Sequence, residues 1–252
     1  MAGRVFLVGA GPGDPELLTL AAARALGAAD VVLVDDLVNR EVLRHTRPGT
    51  RVIAVGKRGG CKSTPQAFIE RLMIQEARAG HTVVRLKGGD PFLFGRGGEE
   101  SAHLRAAGIE VAVIPGITSG LAAPLAAGIS VTQRDSSPGV IFVTGHEKGG
   151  VDERIDWKAL AASGLTLVIY MGVARARRIQ QRLLDAGLDA ATPVAAIASA
   201  TLPQQRIATG TLATLADTIG RERIESPAIL VIGEVARAAV GEVLAAARVL
   251  TA

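Results

Sequence analysis

Short runs of Val, Ile and Leu recur along the chain, separated by stretches in which apolar residues return every three or four positions. Runs at Arg4–Val8, Val31–Val34, Arg51–Val55, Thr82–Leu86 and Glu110–Ile114 predict five strands in the first half, since short β-branched runs bounded by turn residues read as buried strands. Helical spacing lies between them, as in Pro65–Ala79 and Gly97–Ala107. The segment Pro115–Gly139 is rich in Gly, Ala, Ser and Pro, contains one short helical pattern, and predicts a passage between two lobes. Beyond it the alternation resumes, with strands near Val140–Thr144, Leu165–Met171, Pro193–Ala198, Arg206–Thr209 and Ala228–Ile232. Strands alternating with helices predict α/β architecture: two α/β lobes with largely parallel sheets and a ligand cleft between them. No clean sequence repeat relates the halves.

Composition narrows the class. Of 252 residues, 48% are hydrophobic and only 3% aromatic, so the core is built from Ala, Val, Leu and Ile. Gly, Pro or charge interrupts every apolar stretch before membrane-spanning length, and the N-terminus lacks the basic-then-apolar order of a secretion signal. A single cysteine, Cys61, excludes an internal disulfide and a cysteine-based zinc cluster. These features predict a cytoplasmic protein with no membrane partner. The net charge of +4 suits either nucleic acid or a small polyanion. Basic residues form no long runs and few aromatics are present for base stacking, which favours an acidic small molecule over nucleic acid.

Candidate chemistry begins in the first loop, Val5–Leu18, "VFLVGAGPGDPELL". A strand, a glycine-rich turn and a helical pattern resemble a dinucleotide loop, but that loop needs Gly or Ala where Asp14 stands. Pro12 has no N–H to give an anion, and Asp14 places a negative charge where a phosphate would sit. Asp14 is instead an N-cap, with Pro15 in the first helical turn. The loop is shaped for close backbone approach to a ligand other than a diphosphate.

A denser stretch, Arg85–Glu100, "RLKGGDPFLFGRGGEE", sits at the carboxyl end of a predicted strand, the edge where open α/β sheets bind ligands. Gly88 and Gly89 admit a ligand to the backbone, and Asp90 offers a carboxylate to an amino group or to hydroxyls. Arg96 stands between glycines with a fork suited to carboxylates, and Glu99 follows one helical turn later, where it either pairs with Arg96 or meets substrate. Asp35 and Asp36 end another strand, as a solvated turn or as a proton acceptor. The basic loop Val55–Ser63 carries Lys57, Arg58 and Lys62. The four histidines are scattered, which argues against a metal site.

The pieces "VGAGPGDPELLTL", "VGKRGG", "RLKGGDPFLFGRGGEE", "IPGITSGLAAP", "VTGH" (Val143–His146) and "YMG" (Tyr170–Gly172) occur in that order. As an ordered set they resemble the tetrapyrrole methylase family, and within it the uroporphyrinogen-III C-methyltransferases, from about Val5 to Glu234. The resemblance implies the tetrapyrrole methylase fold, with an N-terminal lobe over 1–115 for tetrapyrrole and part of the cofactor, and a C-terminal lobe over 116–252 for the rest of the cofactor and for dimerisation. It implies S-adenosylmethionine as cofactor, leaving S-adenosylhomocysteine, with no metal. Pro12, Gly88, Gly89, Asp90, Leu93, Thr118, Ser119, Met171 and Ala200 match its cofactor positions. Asp35 matches the proposed proton acceptor and Lys57 the proposed proton donor. Arg96, Glu99 and Arg134 (in "VTQRD") match positions that hold or deprotonate the tetrapyrrole.

The implied reaction is methylation of uroporphyrinogen III at C2 and C7, giving precorrin-2 by way of precorrin-1, in a homodimer. The sequence ends soon after the last predicted strand, so the dehydrogenase and ferrochelatase module of fused sirohaem synthases is not expected in it. Family members often have Tyr-Asp-Arg-Leu-Val where this chain has Val34-Asp35-Asp36-Leu37-Val38, which bears on the Asp35 assignment. Rival readings are a precorrin methyltransferase acting at another ring position, an RNA 2′-O-methyltransferase, and a ligand-binding protein without turnover.

Overall fold

The computed structural model describes residues 3–56, 64–145 and 155–239. The chain divides into two compact units, Met1–Thr118 and Ser119–Ala252.

The first unit holds β1 (Arg4–Gly9), α1 (Leu20–Ala28), β2 (Val31–Val34), β3 (Arg51–Ala54), α2 (Gln66–Arg78), β4 (Thr82–Lys87), α3 (Gly97–Ala106) and β5 (Glu110–Ile114). Its sheet has the order β3-β2-β4-β1-β5, and every pairing is parallel. Such a sheet is covered on both faces, which is why β2 reads as an unbroken apolar run, buried throughout. Val8, Val32, Val34, Val84 and Leu86 face α1 residues Ala22, Ala25 and Leu26. On the other face Val5, Leu7, Val31, Leu33 and Val83 pack with Ile69, Met73 and Ala77 of α2 and Leu104 of α3. Ile69, Met73 and Ala77 follow one another at four-residue spacing, the stripe that docks an amphipathic helix.

The second unit holds α4 (Ser119–Ala126), β6 (Val140–Thr144), α5 (Trp157–Ala162), β7 (Thr166–Tyr170), α6 (Ala176–Asp185), β8 (Pro193–Ala198), β9 (Arg206–Thr211), α7 (Leu215–Arg221) and β10 (Ala228–Ile232), with sheet order β6-β7-β10-β8-β9. Here β6 and β7 are parallel, while β10 lies antiparallel to both β7 and β8, and β9 returns antiparallel to β8. The sheet is therefore mixed, although β6, β7 and β8 run in one direction. Apolar runs mark strands without fixing their direction, so this reversal is invisible in the sequence. Leu167, Ile169 and Leu230 face Ile179 and Leu183 of α6 and Leu215 of α7, and Val168, Ile197 and Ile229 face Ala123 of α4.

The helix expected directly after the first loop begins later. Asp14 caps a short 3₁₀ turn, Pro15–Leu17, by accepting from the Glu16 N–H. Leu18 then returns to extended backbone, and Thr19 starts α1 by accepting from the Ala22 N–H. Two caps five residues apart thus divide what hydrophobic spacing alone reads as one helix. Among the described residues, no helix is long and apolar enough to cross a membrane.

Candidate active site

In the first unit β1 leads away to β2 on one side of the sheet, and β4 leads away to β5 on the other. The two strands are neighbours, so their carboxyl ends form the switch point at which open α/β sheets bind ligands. The loops leaving these strands are tied together by backbone. Gly11 and Gly89 exchange hydrogen bonds, N–H of Gly89 to O of Gly11 at 2.7 Å and N–H of Gly11 to O of Gly89 at 3.2 Å. A Cβ on Gly9 would lie 2.5 Å from the Gly89 oxygen, and one on Gly116 only 2.2 Å from it. Only glycine permits that approach.

Side chains complete the joint. Asp90 Oδ2 accepts from the Gly116 N–H at 3.1 Å, and Oδ1 from the Phe92 N–H at 2.8 Å. Each carboxylate oxygen thus takes a backbone donor, and Asp90 binds the β4 loop to the segment after β5. Asn39 Nδ2 donates to the Gly13 carbonyl at 2.9 Å, which anchors the loop after β2 to the first loop. Leu37 covers Gly88, where an added Cβ would stand 3.1 Å from the Leu37 Cβ. Pro12, Gly88, Gly89, Asp90 and Thr118 therefore gather at one edge, with Leu93 half-buried in the same β4 loop.

Asp35 follows β2 at that edge. Its Oδ2 accepts from Arg85 Nη2 at 2.9 Å. Arg85 and Lys87 alternate with Leu86 along β4, so both point to the face covered by α2 and α3. There Arg85 Nε donates to Glu100 Oε1 at 3.3 Å. Lys87 Nζ lies 3.3 Å from the same oxygen and 3.2 Å from Oε2, and only the first approach has the geometry of a hydrogen bond, since Oε2 has no such partner. Gln66 Nε2 adds a 2.8 Å bond to Oε1. Burial, helped by the Arg85 charge, pulls the Lys87 pKa below the ordinary lysine value, against the pull of Glu100. Arg85, Lys87, Glu100 and Gln66 were not singled out by sequence reasoning. The available signal was a pair of charges two apart inside an otherwise apolar strand, which β4 can carry only if a buried acid meets them.

Arg96 and Glu99 pair with each other. Arg96 Nε and Nη2 both donate to Glu99 Oε2, at 3.1 and 2.6 Å, and this bond is the main reason the Arg96 pKa rises above its ordinary value. Arg96 is left-handed at φ 60° just before α3, and both side chains remain more than half exposed. Lys57, with the basic loop around it, lies outside the described residues.

In the second unit, β6, β7 and β8 end at one edge with Gly145, Met171 and Ser199. Met171, Ser199 and Thr201 are left-handed, with φ 54°, 48° and 67°, a conformation that costs non-glycine residues about 1–3 kcal/mol each and clusters at functional sites. Ala200 is held between two of them. The Gln205 side chain spans from there to α4: its Oε1 accepts from the Thr201 N–H at 2.8 Å, and its Nε2 donates to the Ala126 carbonyl at 3.3 Å. The other end of α4 is fixed by the Tyr170 hydroxyl, which accepts from the Gly120 N–H at 2.6 Å. Met171 and Ala200 thus follow strand ends at one edge, and Ser119 opens α4 next to the Gly120 N–H that Tyr170 holds. Arg134 is exposed in the turn before β6. Among the described residues, no three His, Cys, Asp or Glu side chains could hold a metal ion.

Breaking a buried ion pair by removing one partner costs about 3–5 kcal/mol. Glu100→Gln and Lys87→Met should each lower the thermal unfolding midpoint by roughly ten degrees, whereas the charge-balanced double variant should regain most of that loss. Differential scanning calorimetry checks this, and additive losses in the double variant would contradict the pairing.

The sequence profile of the tetrapyrrole (corrin/porphyrin) methylases matches residues 4–216. A uroporphyrinogen-III C-methyltransferase of Pseudomonas aeruginosa is 56% identical over 94% of this chain and 96% of its own. The crystal structure of uroporphyrin-III C-methyl transferase from Thermus thermophilus, complexed with S-adenyl homocysteine, superposes with a TM-score of 0.80 at 43% identity, covering 93% of this chain and 94% of that one. A cobalt precorrin-4 methyltransferase shares the fold at TM-score 0.83 and 29% identity, over 92% of this chain and 95% of its own. With a profile match over most of its length and relatives this similar end to end, the chain belongs to the tetrapyrrole methylase family.

Proposed function

We propose that this protein methylates uroporphyrinogen III from S-adenosylmethionine, at C2 and then C7, forming precorrin-2 by way of precorrin-1. The observation that carries this reading is the 56% identity to the P. aeruginosa enzyme along nearly the whole of both chains. Fold alone would not choose the substrate, because the cobalt precorrin-4 methyltransferase shares it at about half that identity. We read the working form as a cytoplasmic homodimer with neither nucleic acid nor membrane as partner.

The loops of the first unit fit a cationic cofactor. The glycine joint brings main chain within reach of a ligand, Pro12 withholds an N–H, and Asp14 and Asp90 flank the cradle with negative charge, which suits a sulfonium and an amine better than a diphosphate. We assign Pro12, Gly88, Gly89, Asp90, Leu93 and Thr118 of the first unit, and Ser119, Met171 and Ala200 of the second, to hold it. When bound, S-adenosylmethionine supplies an electrophilic methyl carbon on a positively charged sulfur.

The remaining work falls to side chains. Arg96, Arg134 and Lys57 attract and orient the carboxylates of the tetrapyrrole. Glu99 holds the Arg96 fork in place through the paired bonds to its Oε2. Holding the pyrrole carbon in line with the methyl group supplies much of the acceleration. The methylated ring must then lose a proton, and we assign its acceptance to Asp35, assisted by Arg96 or Glu99.

Anaerobic incubation with uroporphyrinogen III and S-adenosylmethionine should add two methyl groups per tetrapyrrole by mass spectrometry, with S-adenosylhomocysteine formed. Absence of methyl transfer by protein that binds S-adenosylhomocysteine would contradict the substrate assignment. Arg96→Ala should lower kcat about tenfold or more and leave S-adenosylhomocysteine affinity near that of the parent protein. Unchanged turnover would remove Arg96 from the site.

A further inference from the structure

Four charged side chains in the first unit form one line, and only one end of it meets solvent. The Glu100 side chain is fully buried, Arg85 is 2% and Lys87 6% exposed, while Asp35 is 36% exposed. The signs alternate from Lys87 through Glu100 and Arg85 to Asp35, so the set is neutral as a whole. Such a set is a poor way to stabilise a core, because apolar residues of similar volume are commonly as good or better. What the line does achieve is orientation. Arg85 cannot turn, since Glu100 holds its Nε and the carbonyls of Leu33 and Leu86 lie 3.5 Å from its Nη1. Its Nη2 is left aimed at Asp35 Oδ2. Glu100 is fixed in turn by Lys87 and by Gln66, which reaches in from the first turn of α2.

We infer that Lys87, Glu100 and Arg85 are positioning residues for Asp35, a buried brace that sets the direction of its carboxylate at the carboxyl edge of the sheet. The inference rests on the reading of Asp35 as proton acceptor. In that step a C–H bond of the methylene bridge beside the methylated pyrrole breaks, its electron pair forms a double bond into the cationic ring that methyl transfer leaves, and the proton forms an O–H bond on the Asp35 carboxylate, from which solvent removes it. The brace takes no proton. It touches neither substrate nor cofactor, so it acts on turnover through Asp35 alone.

The test compares kcat and the KM for S-adenosylmethionine in Asp35→Ala, in the neutral double variant Glu100→Gln/Lys87→Met, and in the triple variant. Asp35→Ala should lower kcat by about a hundredfold with KM within about twofold of the parent, as the cofactor contacts lie elsewhere. The double variant should show the same split, with kcat down about tenfold or more, and the triple variant should be no slower than Asp35→Ala, because groups acting as a unit are not additive. Should the double variant not fold, Arg85→Lys keeps the buried charge while losing the fork, and its kcat should fall likewise at unchanged KM. Parental kcat in the double variant or in Arg85→Lys, or a triple variant slowed by the product of the separate losses, would overturn the brace while leaving Asp35 in its role. Parental kcat in Asp35→Ala would instead overturn the reading of Asp35 itself, whatever the other variants do.

Discussion

Three strand ends in the first unit meet where Gly9, Gly89 and Gly116 approach more closely than any side chain would permit, and the candidate site is built on that approach. A methyl group on Gly116 would stand 2.2 Å from the Gly89 oxygen, well inside van der Waals contact. Because these positions carry no side chains, the loops after β1 and β4 can exchange hydrogen bonds as a short bridge. Asp90 can then reach across to the Gly116 N–H. The joint converts three connections, each free to move on its own, into one rigid rim at the switch point of the sheet. A rim of main chain is a suitable seat for a ligand recognised by backbone groups and shape.

Strand β4 serves that rim and the interior at once. Its alternation sends Val84 and Leu86 to the apolar face against α1, and Arg85 and Lys87 to the opposite face, where Glu100 meets them. The next two residues are Gly88, which packs under Leu37, and Gly89 of the joint. A single six-residue strand thus connects the charge line that ends at Asp35 with the backbone bridge that ends at Asp90. The second unit solves a similar problem differently. It places left-handed non-glycine residues at Met171, Ser199 and Thr201, and it secures α4 at both ends through Tyr170 and Gln205.

Strand positions were legible because apolar runs and their bounding turns are local features. Val31–Val34 and Glu110–Ile114 fall where the pattern puts them. Strand direction was not legible: β10 lies antiparallel between β7 and β8, yet its "AILVI" reads like any buried strand. The first loop was legible as a ligand loop from Pro12 and Asp14, although the 3₁₀ turn at Pro15–Leu17 depends on two competing caps that hydrophobic spacing ignores. The carboxylate of Asp90 stood out, but its backbone partners come from Phe92, close by, and from Gly116, 26 residues away. Glu100 was hidden for a related reason. It reads as an ordinary acidic residue in a first helical turn, and its meaning comes from two cations on a strand that no local pattern pairs with it.

The central claim is that the glycine joint forms the seat for S-adenosylmethionine, and the most direct test is calorimetric titration of Gly116→Ala with S-adenosylhomocysteine. Circular dichroism should show the fold retained, since the clash is confined to the joint. Affinity at least about tenfold weaker than that of the parent chain, a difference of roughly 1.4 kcal/mol, is the result expected if ligand and joint share one geometry. Parental affinity in a folded Gly116→Ala protein would place the ligand elsewhere and contradict the account.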